Sequence, residues 1–350
     1  MKKFLITILT AFCFCGAAFS QSTVPVEGIP YFLPKTAVRL SVWVEKTTYT
    51  PGEFAKYAEK YMKLMNVDME PKTTYRIVKT AFSAYGVPDS SKHYMALMDR
   101  RHNITDVRRN DNGVLLAINA TPQKVTLPTV FVPARKAQPL NPRDYMSEDV
   151  LSAGSSAKMA ELIAKDIYDI RDSRNLLSRG QAEFMPKDGE QLKLMLKNLD
   201  TQEKALMQVF EGTIVKDTTE TLITLVPTKE MKKEVLFRFS KHYGMADKDD
   251  LGGVPYYISV EDQHIVPTLQ TASDKSRSRD NAGVYVNLPS KVKLSLCQEE
   301  QLRSTVELYM GQFGKTEALN GELFGRRQNT RLILDPVTGN IESIQTEGIR

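Results

Sequence analysis

Thiols are nearly missing from this 350-residue chain: of three cysteines, Cys13 and Cys15 sit among the first twenty residues and only Cys297 lies beyond them. A chain left with one cysteine closes no internal disulfide, so its stability has to come from packing. Histidine is scarce too. His93, His102, His242 and His264 never fall at the spacings zinc sites use, and no set of thiols accompanies them. No glycine-rich nucleotide loop occurs. Charge excess is small as well, and after the first twenty residues no apolar run has the length of a membrane span.

Those first residues form a pattern of their own. Lys2 and Lys3, the apolar stretch Phe4 to Gly16, and the small residues Ala18 and Ser20 read as a secretion signal, with cleavage after Ser20. Phe12 and Phe14 precede the two cysteines where lipoprotein processing needs a small residue, which argues against a lipid anchor. The expectation is an exported protein. Loss of Lys2 and Lys3 takes the 47 basic residues to 45 against 42 acidic ones, and the formal charge from +5 to +3. That balance points to neither nucleic acid nor an anionic membrane surface.

Two stretches frame the remainder. GIPYFLPKTAVRLSVWVE, Gly28 to Glu45, is echoed by GVYVNLPSKVKLSL, Gly283 to Leu296. In the first, Val38, Leu40, Val42 and Val44 alternate with polar neighbours, the period of a half-buried strand. Thr50, Pro51 and Glu53 then carry the chemistry of a helix start, predicting a helix over 51–65 that covers Trp43. Strand patterns follow at Thr73 to Ala84, with a turn from Phe82 to Asp89, a short strand at Tyr94 to Met98, and a hairpin on Asn110 to Gly113. Five prolines in 120–146 suggest a connector. Two helices are expected next, Ala157–Arg179 and Gly189–Glu211, capped by Ser155 or Ser156 and by Asp188, and stopped by Gly180 and Gly212. Aligning their ends sets Asp166 level with Gln202 and Lys165 level with Glu203. From Thr213 the period returns to two: Thr213 to Lys216, Thr221 to Val226, Glu234 to Phe239, Tyr256 to Val260, Val292 to Cys297 and Arg303 to Tyr309. A second Phe-to-Asp turn lies at Phe239 to Asp247, a polar loop at 272–281, and a closing hairpin on Asp335 to Asn340. The expected fold class is α+β: an N-terminal β-rich unit (21–119), the connector (120–146), a long antiparallel helical hairpin (147–212) and a C-terminal β-rich unit (213–350).

Reactive constellations fail on their partners. Ser155-Ser156-Ala157-Lys158 has the Ser-x-x-Lys spacing of penicillin-binding enzymes, but Ser173-Arg174-Asn175 falls within the same helix and Lys315-Thr316-Glu317 lacks the closing glycine. Asp247, Asp249 and Gly252 imitate a calcium loop, yet Leu251 and Ile258 stand where oxygen ligands belong. Cys297 has no neighbouring histidine or helix start to activate it. Asp166, Asp169 and Asp172 interleave with Lys165, Arg171 and Arg174, the pattern of ion pairs along one helix face. No catalytic, cofactor-binding or metal-ligating residue is therefore assigned.

Taken together, GIPYFLPKTAVRL, TTYRIVKTAFSAYGVPD, AGSSAKMAELIAKDIYDIRDSRNLLSRG and DGEQLKLMLKNLDTQEKALMQVFEGT resemble a family of exported Bacteroidetes proteins built on a domain of unknown function. The resemblance covers nearly all of the chain beyond the signal and implies a location in a Gram-negative periplasm or outer envelope. Asp217-Thr218-Thr219 also resembles the short O-glycosylation acceptor of that phylum. The expectation is a non-catalytic binding or scaffolding protein whose partner is an envelope protein or glycan; the alternative is an envelope hydrolase with a site assembled from distant residues.

Overall fold

The computed structural model describes residues 27–124, 131–133, 140–266 and 281–349. The expected signal, residues 125–130 and 134–139 of the connector, and residues 272–280 of the polar loop lie outside the described residues. Among the described residues twelve strands run in chain order: β1 Gly28–Thr50, β2 Lys72–Leu97, β3 Val107–Arg109, β4 Leu115–Ile118, β5 Thr213–Leu225, β6 Met231–Ser240, β7 Gly244–Ala246, β8 Val254–Asp262, β9 Tyr285–Gln298, β10 Gln301–Ala318, β11 Gln328–Leu334 and β12 Ile341–Gly348. The helices are α1 Ala58–Met62, α2 Glu148–Leu151, α3 Ser156–Arg179 and α4 Gly189–Glu211, with short 3-10 turns beside them. The class is mixed α+β. These strands form antiparallel sheets with the orders β2-β1-β5, β10-β9-β8-β6-β7 and β12-β11-β4-β3.

The alternation in β1 is real. Val38, Leu40, Val42 and Val44 are buried, and they share cores with Val292, Leu294 and Leu296 of β9, so the first two sheets stack face to face. Both strands also run into another core. There Tyr31 and Leu33 of β1 meet Val284, just before β9, and Val286 within it, with Leu115, Phe324 and Leu332. The crossing points are the prolines. Proline has no N–H to give the ladder, and the partner strand slips opposite each one. The β1–β2 register jumps between Phe32 and Pro34, and the β9–β10 register between Met310 and Lys315, opposite Ser290 and Leu288. Each of the two echoing stretches thus supplies the first strand of a long hairpin and an inner strand of its sheet.

The turn echoes do not match. Phe82 to Asp89 is no turn but part of β2, paired from Leu40–Phe82 to Pro34–Pro88, and the expected Tyr94 strand continues it. Phe239 to Asp247 does turn, as the β6–β7 hairpin. The two hairpins correspond while the turns beside them do not.

Asn287, fully buried, ties the crossing together. Its Nδ2 donates to Pro34 O (2.9 Å) and Thr338 O (2.8 Å), and its Oδ1 accepts from Lys92 Nζ (2.9 Å) and Thr316 Oγ1 (3.1 Å). The last β-turn, Asp335 to Asn340, presses in from outside, with Gly339 at φ 74° so that it clears the Pro34 ring.

The helix expected over 51–65 is only a 3-10 turn, Ala55–Tyr57, followed by the five-residue α1. Gly52 sits directly against Val209 O and Phe54 N–H donates to the same carbonyl (2.7 Å), so this segment docks on the end of α4 rather than starting a helix of its own. Trp43 is accordingly not under α1. Its neighbours are Phe131, edge-on at 6.4 Å, and the Lys79 ammonium, 4.9 Å from its ring.

α3 and α4 use the expected caps: Ser155 Oγ accepts from Lys158 N–H, Asp188 Oδ1 from Gln191 N–H, and Gly180 has φ 68°. Their pairing is displaced by about two turns from an alignment of ends. Glu203 meets Arg171 (2.6 Å) and Arg174 (2.5 Å), Arg174 also reaches Asp200 (2.9 Å), Asp166 accepts from Ser147, and Gln202 is exposed. Arg171 and Arg174 therefore pair across to α4 instead of along their own helix. The shift follows from what the helices bury. Ile163, Ile167, Leu206, Val209 and Phe210 pack with Phe54, Ala58 and Val150, whereas Leu194 and Met195 are exposed.

One consequence concerns alkaline pH. Tyr31 Oη donates to Gly283 O and accepts from Tyr285 N–H, both at 2.8 Å, and burial pushes its phenol well above the ordinary range. In the unfolded chain it ionises near pH 10, while the folded form still holds its proton. Stability is therefore fully present below pH 10 and falls as pH rises beyond it. Chemical denaturation at stepped pH checks this, with Tyr31→Phe expected to flatten the slope above pH 10.

Candidate functional site

An open groove of about 1130 Å³ lies beside β2. Four separate stretches line it: residues 75–80 of β2, 239–242 at the β6–β7 turn, 251–256 leading into β8, and Gln298, Glu299 and Arg303 around the β9–β10 turn. One corner is pinned where Tyr75 N–H donates to Lys241 O (2.8 Å) and the Tyr75 ring lies over Gly244, whose φ is 82°. An alanine there would be strained and would press on the ring.

Tyr75, Phe239 and Tyr256 supply the groove's aromatic lining. Tyr256 stacks on Phe237 at 4.6 Å and donates to Gln298 Oε1 (3.0 Å), which also accepts from both Arg303 Nε (3.1 Å) and Nη2 (2.6 Å). Burial pushes the Tyr256 phenol up, against the opposing pull of the Arg303 cation. The rim is cationic. Arg76 is matched by Glu45 (2.9 Å), but Lys79, Lys241 and Arg303 have no carboxylate partner among the described residues, and Glu299 is the acid in the lining.

His242 and Ser240 both line the groove, but the bond between them runs from the His242 backbone N–H to Ser240 Oγ (3.2 Å) and belongs to the turn. Neither Ser155 nor Cys297 lines it. Lys158 pairs with Glu161 at 2.8 Å, on the helix surface. Cys297 is half-buried inside β9. The histidines are dispersed: His93 lies against Phe32, His102 is held by Asp99 (2.8 Å), and His264 pairs with Asp262 (3.1 Å). Asp250 closes the supposed calcium loop by accepting from Gly252 N–H (2.8 Å), and among the described residues no three potential ligands gather for a metal ion. Thr218 sits on β5 opposite Glu45. No helix among the described residues is long and apolar enough to cross a membrane. Sequence reasoning missed the groove altogether, because Lys79, Lys241 and Arg303 lie in three different stretches and each reads there as an ordinary solvated residue.

The chain belongs to the family described as Domain of unknown function (DUF4831), whose model matches residues 27–342. No curated protein and no solved structure matches it.

Proposed function

We propose that this is an exported envelope protein that binds or scaffolds a partner without catalysis, using the groove beside β2. The observation that carries the reading is the lining itself: the aromatic rings of Tyr75, Phe239 and Tyr256 beside three cations, Lys79, Lys241 and Arg303, that have no carboxylate partner among the described residues. A volume of about 1130 Å³ also exceeds the roughly 300–1,000 Å³ of small-molecule clefts, which favours a macromolecular ligand. The N-terminal secretion pattern supports export to the periplasm or outer envelope. In this reading α3 and α4 form a long antiparallel hairpin held by Arg171, Arg174 and Glu203, placed in the chain between two β-rich stretches that share the sheets β2-β1-β5 and β12-β11-β4-β3.

The test is saturable binding measured against envelope fractions and a glycan array, with a parallel assay for turnover. Lys79→Glu combined with Lys241→Glu should weaken capture about tenfold while leaving the melting temperature within a few degrees, because both residues are exposed. Turnover of an envelope substrate, lost on Ser240→Ala, would establish the hydrolase instead.

A further inference from the structure

Resting on that reading of the groove, we infer that its ligand is an extended acidic peptide that adds to β2 as a further strand. Neighbouring residues of a strand point to opposite faces, so a groove lying on a face touches every second residue and a groove lying along an edge touches all of them. Residues 75 to 80 line this groove without a gap, so it follows the edge of β2 over about 20 Å. That edge is open. β2 is the outermost strand of its sheet, and among the described residues the backbone bond leaving its groove side over this stretch is the one from Tyr75 to Lys241. Val78 is further exposed by a register slip: Trp43 pairs with Lys79 and Val44 with Ile77, which leaves Val78 with no partner on β1.

Side chains supply the selectivity. Val78, Leu251 and Val254 are 43%, 83% and 39% exposed, and all three line the groove, so apolar surface is available there to alternate residues of an added strand. Lys79, Lys241 and Arg303 have no carboxylate partner among the described residues and Glu299 is the one acid in the lining, so the rim favours carboxylates. The occupant that meets both demands is a strand alternating apolar and acidic residues, with backbone hydrogen bonds giving affinity.

The probe is a fluorescent peptide alternating Glu and Val, followed by anisotropy with the full chain. Saturable binding is expected, weakened about tenfold by Lys79→Glu with Lys241→Glu and also by Arg303→Glu, each variant first checked for an unchanged melt. Methylating alternate backbone nitrogens of the peptide keeps every side chain and removes the ladder donors, so one of the two methylation phases should abolish binding. Equal binding by both methylated forms would overturn strand addition. Binding of fluorescent dextran sulfate in place of the peptide, or no peptide binding at all, would overturn the peptide and leave the groove standing. The groove reading fails separately, if envelope capture is indifferent to the same substitutions.

Discussion

Asn287→Ala should cost about 3 kcal/mol and lower the melting temperature by several degrees. The substitution leaves Pro34 O and Thr338 O buried without their donor, and it withdraws an acceptor from Lys92, whose ammonium burial already holds below its ordinary pKa. Each orphaned carbonyl carries a penalty of about 1–3 kcal/mol, while Thr316→Ala, which removes one hydroxyl donor to the same side chain, should cost about 1 kcal/mol or less. Calorimetry on the two variants checks the ordering. Equal effects would mean that the crossing of β1, β9 and the Asp335 turn is not held by this side chain.

Phe210→Ala should be at least as damaging, at about 3–5 kcal/mol. Phe210 is fully buried in the cluster joining the end of α4 to Phe54, α1 and the first half of α3. The same truncation at Leu194, which is 59% exposed on the other half of α4, should cost less than about 1 kcal/mol. Urea unfolding of both variants measures the contrast. Similar losses would show that burial is spread along the whole length of α4, contrary to the packing seen.

Much of the framework could be read from local chemistry. Alternation located β1 and β9 because their apolar residues are spent on one shared interface, and side chains at Ser155 and Asp188 located the helix starts because a cap is a contact within four residues. Misreadings arose where a distant partner overruled the local signal. Ser83, Gly86, Pro88 and Asp89 look like turn residues, yet β1 lies alongside and carries them as strand. Thr50, Pro51 and Glu53 look like a helix start, yet the carbonyl of Val209 takes the Phe54 N–H and draws the segment onto α4. Helix register was out of reach for the same reason, since Phe54 and Val150 fix which half of α4 is covered. The groove left no local trace because its four stretches meet only after the first two sheets stack.

Whether the groove is where a partner docks is best measured with a photocrosslinking residue introduced at position 78 in the living cell. Position 222, exposed on the opposite edge strand β5, is the control. The expected result is a discrete adduct from position 78 that saturates and is lost when Lys79→Glu and Lys241→Glu are added. Adducts from position 78 no stronger than those from position 222, or unchanged by the two charge reversals, would contradict it.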